Sequence, residues 1–440
     1  MIDYVPVRIT EKIRSIIRRD NRVMIRTTRE SYPFVAESGS GDYAYDAAGN
    51  RFIDFSSFIA VFNLGVNANQ EVRNAIKKQA DKLSHAAFTD YYSELPVSFA
   101  ESLLKMFPKG FGRVFFSNSG TEANEAAIKF SRMFTGRQYN IAFYGAFHGR
   151  TRGSLSLTAS KIAHRKGFGP FDQTVHVPFA YCYRCPLKQE YPSCGIACVD
   201  YIKDYPLSKE VSPDEIAALV MEPVQGEGGY IVPPADFVKR IRKLADDNGI
   251  LLIDDEIQAG YMRTGKFLAL DNFGVNADIY IMAKAVGGGM PLGVTVSKSA
   301  LGNMPAGAHA STFGGNLVSI AAAEASLNYV KKNMKQLQSG ILKKGAYAMK
   351  RLNEMKEKYE IIGDVRGLGM MIGVELVKSK KTKEPAVEER EKIIERCFSN
   401  NLLLLPAGVS TIRIIPPLTI SDDNLEKGLD ILEEAIKEAA

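Results

Sequence analysis

Residues 250–293, ILLIDDEIQAGYMRTGKFLALDNFGVNADIYIMAKAVGGGMPLG, decide the fold. The run at 250–253 is uninterrupted and apolar, as suits a parallel strand covered on both faces, and it ends in Asp254, Asp255 and Glu256. The run at 279–283 repeats the pattern and ends in Lys284. In an open α/β sheet the carboxyl ends of the strands line the ligand crevice, so these acids and this lysine are expected in a pocket and not on a solvated face. Gly287, Gly288 and Gly289 follow at once and give the backbone room beside something bulky. Taken singly, Lys284 also reads as a solvated lysine, and the carboxylate triplet as a divalent-metal site at a strand end.

Together they say more. A lysine in such a pocket can form a Schiff base, and an acid on the neighbouring strand can keep a pyridine nitrogen protonated. The pair Lys284 and Asp255 therefore points to pyridoxal 5'-phosphate. A second motif agrees: a short strand at 114–116 runs through Ser117, Asn118, Ser119, Gly120 and Thr121 into a helix expected from Glu122 to Phe134. Small residues at a strand-to-helix turn bare backbone N–H groups at a helix N-terminus, where the macrodipole also favours an anion such as phosphate. An ordinary Ser/Thr cap is the plainer reading of the tetrapeptide alone. Beyond the strand at 139–143 come Phe147, His148 and Arg150, an aromatic ring able to stack on a pyridine and a guanidinium able to grip a carboxylate bidentately. His148 is assigned a structural role, because a catalytic lysine already moves the proton in this chemistry.

The strings DEIQ at 255–258, RTG at 263–265, K-x-x-GGG-x-PLG around Lys284, NSGTEANEAAIKFSR from Asn118, and STFGGN from Ser311 resemble the class III aminotransferases, pyridoxal-phosphate enzymes of fold type I. The resemblance covers nearly the whole chain. It implies an α/β fold with a large domain built on a mostly parallel sheet and a small α/β C-terminal domain. By the same resemblance Ser119, Gly120 and Thr121 hold the cofactor phosphate, Phe147 stacks on the ring, Gln258 bonds the ring hydroxyl, and Thr312 reaches the cofactor phosphate of a neighbouring subunit. Arg150, Glu227 and Arg413 are the expected substrate-binding residues, with Glu227 neutralising Arg413 until a dicarboxylic 2-oxo acid arrives. The expected assembly is a homodimer or a dimer of dimers.

Departures from the family pattern fall at Phe58, Val66, Asn69 and Gln70, in SFIAVFNLGVNANQEV, and at Ala283, where relatives often carry serine. The first four lie in a segment that helps line the family's substrate pocket, so they bear on substrate identity. The expected activity is transfer of an amino group from an ω-amino or diamino acid, of the 4-aminobutyrate or ornithine kind, to a 2-oxo acid such as 2-oxoglutarate. Two alternatives stay open: an amino-acid racemase or 2-epimerase of the same family, and a carboxylate-metal hydrolase using Asp254, Asp255 and Glu256. The reacting amino acid is not legible.

Composition sets the remaining bounds. The 440 residues are 45% hydrophobic and 24% charged with a net charge of +6, an ordinary globular balance that argues for no nucleic-acid partner. No run of 18 apolar residues and no N-terminal apolar core occurs, so neither a membrane span nor a signal peptide is expected and the cytoplasm is the expected compartment. The expected division is an arm and hairpin over 1–60, a cofactor domain over 61–320 and a small domain over 321–440. An insert at 179–205 carries four of the five cysteines, Cys182, Cys185, Cys194 and Cys198, as C-x2-C-x8-C-x3-C. Four thiolates at such spacing can close a tetrahedral zinc site, pair as two disulfides or stay free, and the choice is open.

Overall fold

The basic segment near the N-terminus forms the helix Glu11–Val23, with Thr10 as its N-cap and Ile13 buried. The first six residues of that arm lie outside residues 7–28 and 30–439, which this computed structural model describes. Strands β1 (Ala36–Ser40), β2 (Tyr43–Asp46) and β3 (Arg51–Asp54) follow as an antiparallel meander. The β2–β3 turn is fixed by Asp46, whose Oδ1 accepts from the backbone N–H groups of Ala48 and Asn50, both at 2.9 Å. Next comes one left-handed turn in which Ser57, Phe58, Ile59 and Ala60 hold φ of 45°, 49°, 62° and 59°. Left-handed backbone is costly for residues with a Cβ, most of all for β-branched Ile59. Phe58 offsets part of that cost by packing on Ala44, Phe52, Phe398 and Leu403.

The central sheet contains β4 (Phe111–Ser117), β5 (Tyr139–Phe143), β6 (Thr174–Val177), β7 (Ile216–Met221), β8 (Leu251–Asp255), β9 (Ile279–Met282) and β10 (Gly293–Lys298). Their order is β4-β10-β9-β8-β7-β5-β6. The pairs β5–β6, β5–β7, β7–β8 and β8–β9 are parallel, whereas β10 runs antiparallel to both β4 and β9. A parallel return needs a crossover of a dozen or more residues, and the glycine-rich link between Met282 and Gly293 is too short and helix-poor to supply one. Since β4 and β9 flank the reversed strand, both run the same way. The carboxyl ends of β4, β5, β7, β8 and β9 therefore share one edge, and β10 starts at that edge. Every residue of β7 and β9 is buried. The helix Gly120–Thr135 covers one face, its Ala123, Ala127 and Ile128 packing with Val220, Ile253, Ile279 and Ile281.

After the helix Leu317–Lys358 come β11 (Ile362–Leu368), β12 (Met371–Leu376), β13 (Leu402–Leu403), β14 (Leu405–Ala407) and β15 (Thr411–Ile414). Four of these form an antiparallel sheet in the order β11-β12-β15-β14, while β13 pairs in parallel with β3. The closing helix Asp422–Ala439 begins at Ser421, whose Oγ accepts from Asn424 N at 3.2 Å, and it buries Leu425, Leu429, Leu432 and Ile436. The chain folds as two units: Gln70–Lys335, which holds the central sheet, and the segments up to Asn69 and from Gln336 onward, which hold the two smaller sheets. Among the described residues no helix is long and apolar enough to cross a membrane.

Candidate active site

Asp255 closes β8 and is buried. Its Oδ2 accepts from His148 Nδ1 at 2.7 Å and from Asn124 Nδ2 at 3.2 Å, and its Oδ1 accepts from Ile257 N at 3.1 Å. Three donors suit a charged carboxylate. Because a carboxylate only accepts, Nδ1 of His148 carries the proton in this pair. His148 is itself held from behind, its backbone N–H donating to Thr158 Oγ1 at 2.9 Å. The structural role expected for His148 thus has a definite object, the orientation of Asp255.

Side chains alternate along a strand, so the neighbours of Asp255 face elsewhere. Asp254 is fully buried, and burial with the adjacent Glu256 carboxyl drives it well above the usual carboxylate range. Glu256 accepts from the backbone of Ala269 at 2.8 Å and of Leu270 at 3.0 Å, yet burial still pushes it up to about 7. Burial thus raises both Asp254 and Glu256. Among the described residues no group of three or more His, Cys, Asp or Glu is arranged to hold a metal ion.

Lys284 follows β9 directly, half-buried, at φ 50°. Such a conformation costs on the order of 1–3 kcal/mol for a residue with a side chain and is found where surrounding structure enforces it. The enforcing structure is a tight turn, Lys284–Gly287, closed by Gly288 at φ 60°, where a Cβ would stand 2.9 Å from Ala322 O. Across the edge, Gly293 lets β10 start hard against the end of β4: a Cβ there would stand 2.2 Å from Ser119 O. Ser119 caps the helix Gly120–Thr135, its Oγ accepting from Glu122 N at 3.3 Å. The N–H groups of Gly120 and Thr121 occupy the first turn, where a helix supplies them no acceptor of its own. The Thr121 hydroxyl meets Ser154 Oγ at 2.5 Å and Thr151 Oγ1 at 2.9 Å, joining this helix to the loop that carries Phe147 and Arg150.

The Phe147 loop is fastened by Glu222. One carboxylate oxygen accepts from Phe147 N at 2.9 Å and the other from Gly226 N at 2.8 Å, so a single buried side chain at the end of β7 sets both loops. Burial raises the Glu222 carboxyl, and nearby His148 acts the other way. Arg150 lies over the Phe147 ring at 5.8 Å, and His164 meets the ring edge-on at 5.5 Å. Glu227 Oε1 accepts from Lys161 Nζ at 2.5 Å. Gly226 packs so closely on Gln258 that a Cβ would stand 2.8 Å from its Nε2. Gln258 Oε1 is buried without a protein partner among the described residues, as befits an acceptor reserved for a ligand.

Thus Ser119, Gly120, Thr121, Phe147, Arg150, Glu227, Asp255, Gln258 and Lys284 all belong to the Gln70–Lys335 unit, on the strand-end edge or the loops leaving it. Thr312 belongs to the same unit and is exposed, and neighbouring Ser311 Oγ accepts from Asn118 Nδ2 at 3.1 Å. Arg413 lies on β15 in the other unit, buried, with Nε donating to Pro406 O at 2.9 Å. Sequence reasoning missed the Asp255–His148 bond, the Glu222 clasp and the Lys161–Glu227 pair. Each joins residues far apart in the chain: Asp255, Glu227, Phe147 and His148 had been singled out, whereas Glu222 and Lys161 had not.

The four insert cysteines line one small cavity of about 20 Å³ as free thiols. Burial pushes the Cys198 thiol up to about 12 and raises Cys182 as well, so both are protonated at neutral pH.

The family described as aminotransferase class-III matches residues 24–436, and the chain belongs to it. It is 41% identical over 423 residues to a leucine/methionine racemase of Thermococcus litoralis, covering 96% of this chain and 95% of that one. It is 36% identical over 430 residues to the 5-aminovalerate aminotransferase of Pseudomonas aeruginosa, covering 97% and 99%. Among solved structures, a PLP-bound amine transaminase from an uncultivated Pseudomonas species superposes with a TM-score of 0.88 at 29% identity, covering 95% of this chain and 98% of that one. The fold is that of the pyridoxal-phosphate transaminases, fold type I.

Proposed function

We propose that the protein transfers an amino group from an ω-amino or diamino acid, of the 4-aminobutyrate or ornithine kind, to a 2-oxo acid such as 2-oxoglutarate. The cofactor is pyridoxal 5'-phosphate, which when bound supplies an electrophilic carbon and a ring that withdraws electrons. In this reading Lys284 holds it covalently, and the lysine's Nζ, once free, moves the proton on the carbon that bears the substrate's amine. Asp255, oriented by His148 and Asn124, keeps a proton on the ring nitrogen. Gly120 and Thr121 receive the phosphate at their N–H groups together with Ser119, Phe147 covers one face of the ring, and Gln258 takes the ring hydroxyl. In a homodimer Thr312 completes the phosphate site of the neighbouring subunit, and Arg413 serves a substrate carboxylate.

One observation carries the reading: two cations and one anion, Arg150 and the Lys161–Glu227 pair, gather about His164, whose ring meets Phe147. Such a wall suits a substrate with a second charged group, as ω-amino acids and dicarboxylic 2-oxo acids have. An apolar side chain would gain nothing from those charges. The second reading, amino-acid racemisation or 2-epimerisation, is favoured by the 41% identity to a leucine/methionine racemase. Incubation with single L-amino acids and with 4-aminobutyrate, with and without 2-oxoglutarate, followed by chiral analysis, separates the two. Glutamate formed only when both substrates are present supports transfer; a D-amino acid formed without any 2-oxo acid overturns it and establishes the second reading.

A further inference from the structure

Lys161 belongs to none of the strings by which the site was first read. It immediately precedes the short helix Ile162–Arg165, and its Nζ stands 2.5 Å from Glu227 Oε1 across 66 residues of chain. The two side chains are 37% and 19% exposed, so the pair borders open space instead of being sealed in the core. Three residues on, His164 lies edge-on to Phe147, with Ser160 Oγ 3.0 Å from its Nδ1. Burial lowers the His164 imidazole, with Arg150 and Lys161 acting in the same direction and Glu227 against them. His164 therefore links the ion pair and Arg150 to the Phe147 ring.

We propose that Lys161 is a specificity-determining residue that binds a substrate carboxylate distal to the reacting amine, with Glu227 as the support that aims its ammonium. An ammonium offers three rotatable donors on a flexible stem, and Glu227 Oε1 takes one of them, so Lys161 can hold its support and a ligand carboxylate together. A partly exposed pair is held less firmly than a buried one, so the stem can also swing toward the ligand. An apolar substrate gains nothing from this group. A dicarboxylic 2-oxo acid, or an ω-amino acid reacting at its amine, does. The identity of that substrate rests on the aminotransferase reading; the presence of a carboxylate subsite does not.

The test reads binding to the holoenzyme, not turnover. Glutarate and butyrate are titrated into wild type, Lys161→Met, Lys161→Gln and Lys161→Arg, and the change in cofactor absorbance gives each Kd. A charged hydrogen bond of ordinary strength predicts a loss of glutarate affinity of about tenfold or more in the Met and Gln variants. Butyrate affinity is expected to stay within about twofold, and Lys161→Arg to recover most of the glutarate affinity through its retained charge. Unchanged glutarate affinity in both neutral variants overturns the proposal, as does an equal loss for both acids, which marks a general disturbance of the wall. If glutamate is never formed from any donor, the aminotransferase reading fails while the glutarate result still decides the role of Lys161.

Discussion

Asp254 and Asp255 are consecutive, equally buried and on the same strand, yet the protein treats them as different chemical groups. Asp255 meets three donors, from His148, Asn124 and the backbone of Ile257. Asp254 turns to the other face, where its neighbour is another acid, Glu256, and burial drives its proton on. A buried carboxyl is therefore a charged ligand partner or a neutral packing group according to the donors its face supplies, not according to its depth. The strand's two-residue period assigns the roles, and a shift of one position would exchange them.

The largest effect is expected at Asp255 itself. Asp255→Ala is expected to lower the rate of the first amino-group half-reaction by about 10³-fold or more, since it removes the charge that holds the ring-nitrogen proton. Asp254→Asn should stay within about fivefold, because a neutral group replaces a neutral group of the same shape. Single-turnover spectroscopy of both variants checks this; equal losses would contradict the division of labour.

A smaller effect is expected at His148. His148→Phe leaves Asp255 in place without its shortest donor, and loss of a partner that orients a ligand-contacting group typically costs about 10–100-fold. The same spectra should show a lowered pH for deprotonation of the bound cofactor, a change that simple loosening of the fold would not produce.

The smallest effect is on stability, and its sign is fixed by the other face. Glu256 titrates at about 7 in the folded protein against an ordinary value of 4.5, and Asp254 lies well above its own ordinary value. The folded state therefore keeps protons that the unfolded chain has lost, so stability falls as pH rises from about 4.5 through 7. Urea midpoints measured from pH 5 to 7.5 should decline in wild type and decline less steeply in Asp254→Asn. An unchanged slope would show that this pair does not titrate as described.

Much of this site was legible because its first elements are local. Buried parallel strands read as unbroken apolar runs, so β8 and β9 could be placed, and with them the ends that carry Asp255 and Lys284. Ser119 and Gly120 were legible because a helix N-terminus advertises itself through small polar residues. What escaped is non-local or conformational. The donor of Lys161 to Glu227 and the clasp of Glu222 depend on which loops the sheet order brings together, and no periodicity encodes that. The reversed strand β10 was missed although the short link from β9 excluded a parallel return. The left-handed turn at Ser57–Ala60 ran against local preference, and Phe58 there packs into the core of its own unit.

The central claim is that the cofactor is held at the end of β9, opposite Asp255. Borohydride reduction of the holoenzyme, followed by proteolysis and mass mapping, tests it most directly. The pyridoxyl mass is expected on the peptide containing Lys284, and to be lost in Lys284→Ala. Its appearance on any other lysine, Lys161 included, would contradict the account.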